Sequence, residues 1–402
     1  MVSCNCRTPV KKSLGIWPPL PISIRHDTWD RDTKNENTIA ALQHRDRVSE
    51  ISINCLRSSV LDRLTAAMLE PFPVLASLYL GYGGNTTHTR ALPEAILGGS
   101  APSLKTIVLA GIAFPALPKL LSSTTHLVSL QLWRIPITGY ISPEVMATHL
   151  AALPNLENLR IEFRVCPNHT NSSSLTGVIL PSLTSFHFKG VSEYLDNLVA
   201  RIDAPIIQTL SITFYGVVLC IPQLYRFLSY AERPQPPNWV VVEFNYWPVN
   251  LKFIPSDNFE LAIRCDKLAG QVSSMAAICH GLSPLLSRVE RLDLHGKRLP
   301  SYPGWQDDTV PTSLQWLGLF HPFITMESLY VSKNLKLLVA PALEELTREH
   351  ATAVFPKLHT LYMEVLQPYG FGREAMDPFG TARWLSDRPV AIHQSPALGP
   401  AS

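Results

Sequence analysis

Charge is what this sequence has least of: Asp, Glu, Lys and Arg make up only 16% of it, where soluble domains carry roughly 25%. The 34 basic and 32 acidic residues nearly cancel to a net +2, and no basic run exceeds the pair Lys11–Lys12. Without a basic tract, binding of nucleic acid or of an anionic membrane through bulk charge is not expected. Long apolar runs are missing too. None approaches the ~18–20 residues of a membrane-spanning helix. The first twenty residues lead into Pro18-Pro19 rather than into an apolar stretch with a small-residue cleavage site, so no secretory leader is expected. Cysteine is sparse and odd in number, seven in 402 residues, widely separated except for Cys4-Asn5-Cys6. That usage argues against a disulfide framework and for a reducing compartment. The expected location is intracellular, cytoplasmic or nuclear.

Signatures of catalysis are absent as well. There is no phosphate loop, dinucleotide glycine fingerprint, zinc-protease helix or nucleophile-elbow serine. Gly81-Tyr82-Gly83-Gly84 reads as a plain turn. Cys4 and Cys6 lack the second pair that a structural zinc site needs, and Asp30-Arg31-Asp32 is a polar stretch of a kind common by chance. Cys279 and His280 are helical neighbours and face different directions, so a buried thiol beside an exposed imidazole is expected. Sequons at Asn85, Asn168 and Asn171 should stay unmodified in a chain that is not secreted. The expectation is a protein that is not an enzyme, with no catalytic residue, cofactor or metal.

What the sequence does have is apolar residues, 46% of the chain, arranged in a recurring unit: an apolar residue, two variable ones, an apolar, one variable, an apolar. It begins at Val48, Ile51 and Ile53. It returns at Leu75-Leu78-Leu80, Leu104-Ile107-Leu109, Leu127-Leu130-Leu132, Leu156-Leu159-Ile161, Leu183-Phe186-Phe188 and Ile207-Leu210-Ile212. Further copies are Val289-Leu292-Leu294, Leu314-Leu317-Leu319 and Leu358-Leu361-Met363. From Ile51 to Leu210 the middle residues are spaced by 27, 29, 23, 29, 27 and 24, within the range of leucine-rich repeats. Two degenerate units are expected near Trp239–Phe244 and Leu261–Cys265, and one near Leu338, giving about thirteen in all.

Each copy suits a short strand whose alternate side chains enter a core shared with its neighbours. Between strands the spacing turns helical, at Ser59–Leu69, Ser142–Leu153, Ser192–Ile202 and Pro222–Ala231. The expected fold is α/β, a leucine-rich-repeat solenoid or horseshoe with a parallel concave sheet and convex helices. Residues 1–15 are expected to be disordered, 16–46 a lead-in and cap, 47–366 the solenoid, 367–393 a C-terminal cap and 394–402 a disordered tail. Asn168–Ser174 and Arg233–Pro237 have no apolar anchor and read as loops. Thr381–Leu385 and Pro389–Ile392 suit a closing helix and strand.

The solvent-facing strand positions would line the concave surface and meet a protein target there. They are Tyr79, Gln131, Trp133, Asn158, Arg160, Glu162, His187, Lys189, Arg291, Asp293, His295, Trp316, Phe320, Tyr362 and Glu364. Trp, Tyr and Arg are the types enriched at binding hot spots.

Several phrases resemble a group of F-box-associated leucine-rich-repeat proteins from mushroom-forming fungi. They are Trp17–Ile22, Ile39–His44 with Asp46-Arg47-Val48, Glu70–Pro73, Leu97–Pro102, Tyr140–Glu144, Val191–Pro205 and Trp384–His393. The resemblance implies a substrate receptor, in which an N-terminal F-box of about forty residues binds a Skp-type adaptor of a cullin ubiquitin ligase and the repeats choose the target. Met1–Gly15 do not match that F-box, so the target-recognition role is the part expected to carry over. The alternative expectation is a fragment of a full ligase subunit with the adaptor-binding region encoded upstream.

Overall fold

The computed structural model describes residues 1–5, 14, 20–27, 35–84, 90–165, 177–218, 220–230, 237–255, 258–297, 310–345 and 355–364. The chain divides into two compact units, one of Met1–Tyr215 with Ile221–Arg233 and one of Gly216–Cys220 with Pro234–Ser402.

In the first unit the strands are β1 (Val2–Asn5), β2 (Ile22–Asp27), β3 (Val48–Cys55), β4 (Ser77–Tyr82), β5 (Thr106–Ala110), β6 (Ser129–Ile135) and β7 (Asn158–Phe163). After them come β8 (Val178–Ile179), β9 (Ser185–Gly190), β10 (Ile202–Asp203) and β11 (Thr209–Tyr215). The short β8 and β10 pair with each other; the others lie side by side in chain order, every neighbour parallel. Parallel neighbours need a crossover between them. Helices supply it at Glu36–Leu42, Ser58–Ala66, Leu117–Leu121, Pro143–Leu150 and Ser192–Val199, and Pro222–Tyr230 follows β11.

The register explains the sequence pattern. Ile24, Ile51, Leu78, Ile107, Leu130, Leu159, Phe186 and Leu210 pair in one continuous row, each at most 4% exposed. Full burial of such side chains contributes roughly 1.5–3 kcal/mol apiece. The next inward row runs Ile53, Leu80, Leu109, Leu132, Ile161, Phe188 and Ile212, with His26 at its start. His26 is 1% exposed, with Nδ1 3.0 Å from the Thr38 hydroxyl, and burial lowers its pKa.

Helices cover this apolar face. Tyr194 of Ser192–Val199 stands 4.6 Å from the Phe163 ring and stacks on Phe188 at 5.8 Å. Its hydroxyl donates to the Ile141 carbonyl at 3.0 Å. Gly190 leaves room for these rings, since a Cβ there would lie 2.8 Å from Phe188 and 3.0 Å from Phe163. Successive helices are also tied to one another. The Asp196 carboxylate accepts from the Leu224 N–H at 2.9 Å, and the buried Arg201 reaches Glu144 at 3.0 Å and the Asn197 carbonyl at 2.6 Å.

In the second unit β12 (Trp239–Phe244), β13 (Pro248–Ile254), β14 (Phe259–Arg264), β15 (Arg291–Gly296), β16 (Ser328–Val331) and β17 (Thr360–Met363) are ordered β14-β13-β12-β15-β16-β17. β13 runs antiparallel to both its neighbours, while β12, β15, β16 and β17 are mutually parallel. The helices are Leu268–Gly281, Ser283–Leu286, Ser313–Phe320 and Lys336–Glu345. Cys279 is buried and its neighbour His280 exposed, the division expected for adjacent helical positions.

Four expectations need correction. Val2–Asn5, expected to be disordered, form β1 because Val2 and Cys4 fill the apolar face beside β2. Trp239–Phe244 and Leu261–Cys265 are not two successive parallel repeats but fall in the outer strands of an antiparallel meander closed through β13. Leu314-Leu317-Leu319 is not a strand. It lies in the helix Ser313–Phe320, opened by a capping box between Thr312 and Gln315, and the strand between β15 and β17 is β16, carried by Met326, Leu329 and Val331. Leu338 likewise sits in a helix, Lys336–Glu345. The expected loop Asn168–Ser174, most of Arg233–Pro237, Asp30-Arg31-Asp32, the three sequons, the C-terminal cap and the tail lie outside the described residues.

Candidate functional site

Because β-strand side chains alternate, burying one face under helices leaves the other row of residues on the opposite face. In the first unit one such row pairs Tyr79, Val108, Gln131, Arg160, His187 and Ser211 across β4 to β11. The neighbouring positions place Gly81 and Ala110 in line with Trp133, and Glu162 opposite Lys189.

These residues make one linked cluster. The Arg160 guanidinium sits 4.5 Å over the Trp133 ring and donates from Nη2 to Glu162 Oε2 at 3.2 Å. Lys189 donates to the other oxygen, Oε1, at 2.7 Å and lies 5.9 Å from the Tyr215 ring. Burial of Glu162 works to raise its pKa, but the hydrogen bonds and charges of Lys189 and Arg160 outweigh that and hold the carboxyl below its usual range. His187, between the two cations, is pushed down to about 4, by burial first and then by the charge of Arg160. Gln131 donates to the Ser129 hydroxyl at 3.1 Å, and Tyr79 stands apart, two strands from Gln131.

The second unit carries a comparable group. Arg291 lies 4.2 Å over Trp239 and donates to both oxygens of Asp293, each at 2.9 Å. His295 is 4.0 Å from Asp293 and 5.1 Å, ring to ring, from Tyr330; burial lowers its pKa. The Tyr330 hydroxyl donates to Glu364 at 3.4 Å, and Glu364 also accepts from the Lys333 N–H at 3.1 Å. Tyr362, in register with Tyr330 on β17, is 49% exposed. Glu243 holds Lys297 and, at 3.7 Å, Lys252.

Three placements differ from the sequence expectation. Trp316 and Phe320 are fully buried on a helix, Trp316 against Phe244 at 5.5 Å, so neither faces solvent on the sheet. Glu162 and Asp293 do occupy strand positions but are covered by the cations they bind, with 9% and 3% exposure. Trp239, Glu243 and Tyr330 belong to the second cluster although none is among the expected concave-face residues. The signal for Trp239 was its place in a strand beside an Arg-apolar-Asp triplet, which becomes informative only once β12 is paired with β15.

Both clusters present charged groups and ring faces. Among the described residues no group of three or more His, Cys, Asp or Glu could hold a metal ion, and no helix is long and apolar enough to cross a membrane.

These features define a mixed α/β protein whose mainly parallel sheets bury one face under helices and carry charged and aromatic side chains on the other. No protein-family model matches the chain, and no curated protein matches it. Among solved structures it is similar to the leucine-rich repeat-containing protein LegL7 from Legionella pneumophila, with 11% identity over 90% of each chain and a TM-score of 0.27.

Proposed function

We propose that the chain is a leucine-rich-repeat solenoid that works as a non-catalytic protein-interaction module, with the polar strand face meeting the target. The observation that carries this reading is the coupling of Trp133, Arg160, Glu162, His187 and Lys189 into one cluster on three adjacent strands. Aromatic and Arg residues of this kind dominate binding energy at protein interfaces. Glu162 and Asp293 are committed to ion pairs, which favours recognition over acid–base chemistry.

Quantitative affinity capture with the full chain, beside a Trp133→Ala/Arg160→Ala double variant, tests it. A specific protein should be captured by the parent and lost by the variant, with both melting cooperatively by circular dichroism. Equal capture by both would remove the site from this face.

The resemblance to F-box-associated proteins supports a narrower reading, that the captured protein is a target presented to a ubiquitin ligase. Reconstitution with a Skp-type adaptor and sequencing of the 5′ end of the transcript test it. An in-frame upstream Leu-Pro helix-forming segment that binds the adaptor supports the ligase subunit, and an upstream stop codon excludes it.

A further inference from the structure

We propose that the cluster on β6, β7, β9 and β11 docks an acidic segment of the protein partner, whose carboxylates bind at Arg160 and Lys189. This rests on the interaction reading above and names the chemistry of the partner.

The argument is one of incomplete neutralisation. Two cations, Arg160 and Lys189, share a single carboxylate, Glu162, at 3.2 and 2.7 Å. The charged groups that act on His187 are those same three residues, so no second acid offsets them there. Among the described residues Arg160 hydrogen-bonds through Nη2 and its side chain is 33% exposed, so an incoming carboxylate can reach the guanidinium, a group suited to that partner. Arg134 and Arg164 stand exposed at the C-terminal ends of β6 and β7, beside the end of the sheet that carries Glu162 and Lys189, and extend the positive rim.

The second unit is the internal contrast. There Asp293 takes both donors of Arg291, and Glu243 takes Lys297 and Lys252, with Glu260 and Glu364 close by. Acids outnumber Lys and Arg in that group, so it offers no surplus positive charge. An acidic peptide is favoured over nucleic acid because the Trp133 ring is already occupied by Arg160 and cannot act as a base-stacking platform on that side. A patch confined to four strands also makes few of the phosphate contacts on which nucleic-acid affinity depends.

Fluorescence anisotropy of a labelled ten-residue poly-Glu peptide, titrated with the full chain, tests the proposal beside a poly-Lys peptide and an oligothymidylate of the same length. Poly-Glu is expected to bind more tightly than either, and more weakly as salt rises from about 50 to about 300 mM, as screening requires. Glu162→Gln removes the competing internal carboxylate and should tighten poly-Glu binding roughly threefold, the scale of one partly exposed ion pair. Arg164→Glu should weaken it by a similar factor, and because Arg164 is exposed this variant carries the comparison if Glu162→Gln fails to fold. Absence of poly-Glu binding, binding unchanged by the folded variants, or tighter binding of oligothymidylate overturns the proposal. If the double variant of the preceding section still loses its captured protein in that case, the interaction reading stands and only the acidic partner falls.

Discussion

Arg291 sits over Trp239, its guanidinium carbon 4.2 Å from the ring centroid, and the two residues are directly paired across β15 and β12. In the first unit Arg160 likewise lies over Trp133, at 4.5 Å, but its paired residue on β6 is Gln131. In each case the residue two positions along from the Arg is an acid, Glu162 or Asp293, that lies on the same side of its strand and is covered by the Arg. Ring, cation and carboxylate thus support one another, and removing any member exposes the others.

Arg291→Ala should therefore destabilise the second unit by about 1–3 kcal/mol, because it leaves the Asp293 carboxylate without its forked donor. The half-exposed position of Arg291 keeps the loss below that of a fully buried pair. Arg291→Lys should recover only part of it, since an ammonium cannot make the two parallel bonds. Urea unfolding midpoints of the three proteins check the order.

Arg201 is 1% exposed and pairs with Glu144 at 3.0 Å. Truncation to Ala opens a cavity and removes this ion pair, so a loss of about 3–5 kcal/mol is expected. Arg201→Met fills the space with an apolar chain and should cost much less. Equal losses for the two, measured by denaturant unfolding, would show that the charge itself is required.

His187 gives stability a pH dependence whose sign follows from its lowered pKa. Near pH 7 the ring is neutral folded and unfolded and contributes nothing. As pH falls below 6.5, the ordinary value, the unfolded chain takes up a proton that the folded chain refuses until about 4. Stability is lost across that window, and His26 adds to it with the same sign. His187→Gln should lose less stability than the parent between about pH 7 and pH 5. Parallel loss in both proteins would remove His187 as a cause.

Trp316→Ala should cost about 3–5 kcal/mol, the range for deleting a fully buried large aromatic. Tyr362→Ala should lie within about 0.5 kcal/mol of the parent, as surface substitutions do. Thermal melts separate the two, and comparable losses would contradict the buried position of Trp316.

Seven strands of the first unit, β3 to β7, β9 and β11, could be read from residue order because each has an apolar pair two apart, and a parallel ladder brings those pairs together. The same pattern misled at Leu314, Leu317 and Leu319. There the buried residues are Trp316, Leu319 and Phe320, a three-and-four spacing that belongs to a helix. The capping box at Thr312 and Gln315 was a visible mark of that helix, and Met326-Leu329-Val331 was a copy of the strand pattern passed over nearby. The meander β12–β13–β14 also alternates, as Val240, Val242 and Phe244 and then Val249, Leu251 and Phe253 show. Alternation alone does not state whether the next strand runs parallel or antiparallel. The stacking of Arg291 on Trp239 was hidden for a related reason: it depends on the register of two strands about fifty residues apart, which no local spacing encodes.

Cys279 is enclosed on the buried face of the helix Leu268–Gly281, and burial drives its thiol well above the ordinary range. Cys55 is likewise enclosed on β3, pushed up to about 12 by burial first and then by Asp27. An alkylating reagent must wait for each region to open before the thiolate it attacks can form. Cys55 and Cys279 thus time openings in the first and second units, with exposed Cys220 marking the start of the clock.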